Sequence, residues 1–167
     1  MCIRDRFGPW FWNAGVELQD QGSFVEGLSN RNYDIQAWST EHKISYQLSR
    51  NRRISIVGKT GSKENTSEGT ETLDLFSLGL ESWLGAAEKG QISLRADWIQ
   101  NNFDGNANSP VAYEILSGLQ DGQNITWMIT AQRNLARFLQ LSVQYSGRAS
   151  ELAPTIHTGS VQLKAFF

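Results

Sequence analysis

Leu139-Gln140-Leu141-Ser142-Val143-Gln144-Tyr145-Ser146 changes polarity at every step. A β-strand turns successive side chains to opposite faces, so this octet lays its apolar residues on one face and its polar residues on the other. The same period of two recurs on both sides of it. Upstream, Trp10, Trp12, Ala14, Val16 and Leu18 alternate with polar or small neighbours, and so do Ile44, Tyr46 and Leu48, then Ile92, Leu94, Ala96 and Trp98, then Ile125, Trp127, Ile129 and Ala131. Downstream, Val161, Leu163, Ala165 and Phe167 close the chain. Residues 53–60 and 72–84 alternate less cleanly, although Phe76, Leu78, Leu80 and Leu84 share a parity. The pattern predicts an all-β domain, an antiparallel up-and-down meander of about eight strands.

The connections alternate as well. Residues 49–52, 85–89 and 133–138 are short links, whereas 20–33, 61–71, 101–123 and 149–158 are long and polar or glycine-rich. A meander with that alternation gathers its short turns at one end and its long loops at the other, the arrangement of transmembrane β-barrels. Membrane strands need about 9–11 residues when tilted, and most of the alternating runs reach that length. No run approaches the ~18 consecutive apolar residues of a membrane-spanning helix.

The two parities differ in kind. One carries aliphatic residues mid-strand and rings towards the ends, with Trp10, Trp12, Tyr46 and Trp83 near the short turns and Trp38, Trp98, Trp127 and Tyr145 near the long loops. Two aromatic girdles around an aliphatic band suit the two interfaces of a bilayer. The other parity carries Glu17, Glu41, Lys43, Glu81, Arg95, Asp97, Arg148 and Lys164, both signs facing one interior, where mutual pairing offsets the cost of enclosing them. These are the expected lumen-facing charges of a transmembrane β-barrel. The competing reading is a soluble extracellular β-sandwich, which alternates in the same way.

Composition removes other classes. The chain has 167 residues, 40% hydrophobic and 19% charged, with a formal net charge of −2. That balance shows no basic stripe for nucleic acid. The single cysteine, Cys2, excludes a disulfide framework, and His42 and His157 lie far apart, so neither a metal set nor a cofactor motif is expected. Residues 1–6, Met-Cys-Ile-Arg-Asp-Arg, lack the apolar core of a signal peptide and resemble translated adapter sequence. On that reading they are a non-native leader, residues 7–167 form the domain, and the domain is the C-terminal part of a larger barrel.

The final stretch, Gly159-Ser160-Val161-Gln162-Leu163-Lys164-Ala165-Phe166-Phe167, resembles the C-terminal signal of Gram-negative outer-membrane β-barrel proteins. The resemblance implies that Val161, Leu163, Ala165 and Phe167 are read by the barrel-assembly machinery. The segment from Tyr145 to Arg148, followed by His157-Thr158-Gly159, is similar to the end of large envelope barrel proteins of unknown function.

Catalytic and binding motifs are sparse. Gly58-Lys59-Thr60 matches the last positions of a phosphate loop, but Arg53 stands where the earlier glycine belongs and no helix follows. Asn65-Thr66-Ser67 and Asn124-Ile125-Thr126 fit the glycosylation sequon. His157, with Ser150, Glu151 and Thr158 nearby in sequence, is the one candidate for a rim triad, and His42 falls on the apolar parity. The loop at 101–123 is long enough to fold inward or cap the rim, with room for a short helix.

The leading expectation is therefore a non-enzymatic, porin-like integral barrel of a Gram-negative outer membrane, acting as anchor or pore, in contact with the lipid bilayer and offering its long loops to a surface ligand or envelope partner. The alternative is the soluble sandwich, binding glycans or a protein partner. Phe167→Ser, or deletion of Phe166-Phe167, is expected to lower membrane-fraction yield at matched expression in a Gram-negative host. Unchanged yield would refute the assembly-signal reading.

Overall fold

The computed structural model describes residues 2–23, 32–67, 71–86, 89–106, 109–151 and 153–166. They form one antiparallel sheet in sequence order: β1 (Cys2–Phe7), β2 (Trp10–Ser23), β3 (Tyr33–Ser49), β4 (Arg52–Asn65), β5 (Thr72–Ala86), β6 (Gly90–Asp104), β7 (Gly122–Ala136), β8 (Leu139–Ser150) and β9 (Ala153–Ala165). One short helix, α1 (Pro110–Ile115), lies between β6 and β7. All eight expected strands are present. Residues 2–7, placed outside the domain by the sequence reading, add a ninth: Cys2 pairs with Gly15 and Phe7 with Trp10. An edge strand needs only backbone partners, so a charge-rich run without apolar alternation still joins the ladder.

The short turns are tight and bonded to the strand beyond. The carbonyls of Pro9, Asn51, Lys89 and Phe138 accept from the amides of Gln47, Gly85, Asn134 and Phe166 at 2.8–3.0 Å. At the other end the strands run well into stretches read from sequence as loops. Thus β2 reaches Ser23, β4 reaches Asn65, β6 reaches Asp104 and β9 starts at Ala153, leaving only Glu151 and Leu152 between β8 and β9. The ends of β2 and β4 are polar or glycine on both faces, and β6 and β9 add only Phe103 and Ile156 as large apolar residues there, so period two carries little hydrophobic contrast.

Register confirms the parity. The row Trp12, Ile44, Ile56, Leu80, Ala96 and Trp127 crosses the sheet on one face, and Glu41, Lys59 and Ser77 lie on the other. Leu18 is 81% exposed, Val161 71% and Leu163 61%, so no protein covers the apolar face. A sandwich needs two sheets packed face to face; here there is one sheet, with its apolar side bare, and the soluble-sandwich alternative falls. Beyond Leu18, Trp38, Phe76 and Trp98 the same face turns acidic, with Asp20, Asp34, Glu64, Asp74 and Asp104 all exposed. The aliphatic band therefore ends at those rings, two of which, Phe76 and Trp98, meet edge to face at 6.2 Å.

The buried core lies on the opposite face, at the long-loop end: Ile35, Leu73, Val111, Ile115 and Leu116, with Tyr33 and Phe103 packed against it. The sheet is open. β2 is flanked by β1 and β3, and β9 pairs only with β8.

An arginine on the bare face at mid-membrane costs about 2–4 kcal/mol, whereas the other face already carries charge. Leu94→Arg is therefore expected to reduce membrane assembly strongly and Ser142→Arg weakly, measured as heat-modifiable migration of membrane-extracted protein. Equal losses would overturn the lipid-facing assignment.

Candidate functional site: a charged cavity beneath an inward helix

The charged face gathers its ions into a network. Glu81 on β5 pairs with Lys43 on β3 and accepts from Arg95 Nη1 on β6 at 2.8 Å, and Arg95 Nε donates to Asp97 Oδ2 at 2.7 Å. Small residues make the crossing possible. A Cβ on Gly79 would lie 2.3 Å from Asp97 Oδ1, so only glycine lets that carboxylate lie across β5. Glu17 and Lys59 approach at 3.9 Å, and Glu41 faces Lys59 in register. These partly exposed pairs each add at most about 1 kcal/mol; their effect is to keep a polar wall nearly neutral.

Six of the eight predicted interior charges thus come together. Arg148 serves differently, donating Nη1 to the Gly118 carbonyl at 2.5 Å, and Lys164 lies apart with its ammonium 5.2 Å from the Phe166 ring.

Above this wall sits α1. Ser109 caps it, its Oγ accepting from Ala112 N at 3.0 Å, and Pro110 fits the first turn. Ser117 (φ 53°) and Gly118 (φ 74°) end it. Val111, Ala112, Ile115 and Leu116 are buried beneath. Lys63 Nζ reaches up to the Ile115 carbonyl at 2.9 Å and Ser117 Oγ at 2.8 Å. Asn101 donates to the Gln120 carbonyl at 3.0 Å. Asn124, 1% exposed, both accepts from Gln120 N and donates to Gln120 O, while Ser150 Oγ donates to it at 2.6 Å. Residues 109–121 fold inward and are latched to β4, β6, β7 and β8. Between α1 and the wall lies a cavity of about 460 Å³, bordered by Glu17, Lys59, Lys63, Arg95, Asp97 and Asn101. Its lining comes from strands β2 to β7, so the sheet curls around it.

Sequence reasoning missed Lys63, Asn101 and Asn124 as latch residues. Lys63 and Asn101 reach carbonyls 52 and 19 residues away, and Asn124 bonds Gln120 four residues back in a turn for which no motif exists. Ser109-Pro110 and the later Gly118 did carry helix start and stop signals.

The aromatic set is corrected at one position. Trp10, Trp12, Trp38, Tyr46, Trp98, Trp127 and Tyr145 are on the apolar face, and Trp10 and Tyr46 touch with ring centroids 4.7 Å apart. Trp83 is not. It aligns with Arg53 and Ser93 on the charged face and its Nε1 donates to Gln91 Oε1 at 3.4 Å. Its odd parity opposes Leu80 and Leu84, and the expectation followed ring chemistry instead of spacing.

His157 lies in β9, not in a loop, on the apolar face; its Nδ1 and the Tyr145 hydroxyl are 2.8 Å apart. Ser150 is engaged by Asn124, and Thr158 is on the opposite face, so the suggested rim triad is not assembled. His42 stacks on Trp12 at 6.2 Å, without any register shift. Lys59 is mid-strand, not in a phosphate loop. Asn65 and Asn124 are buried and hydrogen-bonded, which withdraws both sequons. Val161, Leu163 and Ala165 share the apolar face of β9; Phe167 lies outside the described residues.

Solved structures share this architecture. In-vitro folded OmpT of Vibrio cholerae, an outer membrane protein in its trimer form, superposes with a TM-score of 0.64 at 12% identity, covering 88% of this chain and 43% of that one. The fold is that of an outer-membrane β-barrel. OmpT expressed in the outer membrane gives a TM-score of 0.61 at 12% identity over 88% of this chain and 44% of the other. The variant lacking loop L8 gives 0.65 at 10% identity over 98% of this chain and 51% of the other. This chain thus spans about half the length of those proteins. No protein-family model and no curated protein matches it. The likeness agrees with the outer-membrane location and bilayer contact expected from sequence.

A helix of six residues is too short to persist alone, so the latches decide its order. Each hydrogen bond to a charged group contributes about 1.5–3 kcal/mol. Lys63→Met and Asn124→Ala are each expected to speed amide hydrogen exchange across residues 109–121 while leaving the β3–β4 ladder protected. Unchanged exchange in both variants would show that the buried apolar contacts alone hold α1.

Proposed function

We propose that this chain forms part of the wall of a larger, non-enzymatic outer-membrane pore for small hydrophilic solutes. The observation that carries the reading is the charged cavity curled inside the sheet, with α1 latched across it. A barrel serving only as an anchor has no need of a narrowed polar lumen, because side chains alone fill a small one. The free edges of β1 and β9 support the larger barrel: unpaired backbone cannot be left in hydrocarbon, so further strands complete the wall. Val161, Leu163 and Ala165 on the β9 edge suit recognition by the assembly machinery before closure. The long connections at the far end offer a surface to ligands or envelope partners.

The assembled protein, extracted from membranes and placed in a planar bilayer, is expected to give discrete conductance steps. Removing residues 109–118 enlarges the step, and Glu81→Gln with Asp97→Asn shifts selectivity towards anions. A protein that inserts but never conducts sinks the pore reading and favours an anchor.

A further inference from the structure

The short-turn rim of the apolar face carries a second feature. A groove of about 590 Å³ lies there, outside the lumen, where β5, β6, β7 and β8 meet their turns. Gly90 and Ala131 keep its floor low, and Leu84, Ile92, Leu141 and Val143 supply its apolar lining. Gly90 (φ 147°) is required by the backbone: a Cβ there would come within 2.1 Å of the Gln132 carbonyl. Arg52, Lys89 and Arg133 border the same groove and are exposed. Arg52 is in register with Leu84, and Arg133 with Gly90 and Leu141, so both arginines stand on the apolar face itself.

Their surroundings separate them from the other cations. Along the lumen, Lys43, Lys59 and Arg95 meet carboxylates, and Lys63 and Arg148 meet carbonyls. No described carboxylate pairs with the Arg52, Lys89 or Arg133 side chain. In sequence the one acid in these turns is Glu88, which lies outside the described residues. The opposite rim of the same face bears Asp20, Asp34, Glu64, Asp74 and Asp104. An anionic headgroup is thus attracted at the short-turn rim and repelled at the long-loop rim.

We propose that this groove is a binding site for one anionic glycerophospholipid of the leaflet that meets the short turns. An acyl chain lies along Leu84, Ile92 and Val143, and the phosphate is held by Arg52 and Arg133 with Lys89 beside them. The apolar groove adjoins cations that pair with no described carboxylate, and a lipid supplies both complements in one molecule. A soluble anion would use only the cations, and a second copy in the same membrane would bring this same rim of Arg52, Lys89 and Arg133, setting like charges together.

The test uses the assembled protein in phosphatidylcholine vesicles with spin-labelled lipids. Spin-labelled phosphatidylglycerol is expected to associate with the protein surface about fivefold or more over labelled phosphatidylcholine, the effect of one cation near an anionic lipid being about that size. Arg52→Gln combined with Arg133→Gln abolishes the preference. Ala131→Leu, which fills the groove and keeps the charges, weakens it, whereas Arg137→Gln, a turn cation outside the groove, leaves it intact. Heat-modifiable migration verifies that each variant is folded. Retention of the preference in the double variant, or equal loss in Arg137→Gln, would overturn the site. So would displacement of the lipid by inorganic phosphate at matched ionic strength, which marks a free-anion site, or exclusion of both lipids alike, which marks a protein interface.

Discussion

Hydrocarbon cannot hydrogen-bond a peptide group, and each unsatisfied amide or carbonyl there costs several kcal/mol. A continuous antiparallel ladder meets that demand while leaving one side-chain face free to contact lipid. From β1 to β9 each strand pairs with its sequence neighbour, so no crossover interrupts the ladder. The bare apolar face and the turns whose carbonyls bond the next strand follow from that constraint, whereas the outer edges of β1 and β9 do not yet meet it.

The second constraint is what to do with the enclosed face. Apolar side chains face lipid here, so the interior must be polar, and polar groups inside need partners. The chain answers in two ways. Mid-strand, Lys43, Glu81, Arg95 and Asp97 neutralise one another across three strands. Towards the long-loop end, where the strands outrun the membrane, a small conventional core forms instead around Ile35, Leu73 and Ile115. That core and its latches hold α1 over the wall and make the cavity a narrowed space.

The two rims of the apolar face differ in the same spirit. Acidic residues crowd the long-loop rim, while arginines and a lysine gather at the short-turn rim. The net charge of −2 conceals this separation. Position relative to the bilayer, not total charge, decides which neighbours the surface tolerates.

The sequence by itself determined the strands, their parity and the end at which the turns are short, because period two survives wherever one face meets lipid and the other does not. It also marked most of the interior charges and nearly all of the outward rings. Tertiary structure decided the rest. Strand length beyond the apolar band was hard to see in sequence, since the face that is aliphatic mid-strand turns polar there and the contrast between faces weakens. Residues 2–7 joined the sheet through backbone pairing, which leaves no side-chain pattern. Trp83 faces inward because register, set by its neighbours on β4 and β6, outranks the preference of a ring for the interface. Lys63, Asn101 and Asn124 became latches only once the chain between β6 and β7 turned inward. Lys63 and Asn101 meet carbonyl and hydroxyl groups brought close by the fold, contacts without a recognisable spacing in the chain, and the local turn from Gln120 to Asn124 matches no motif.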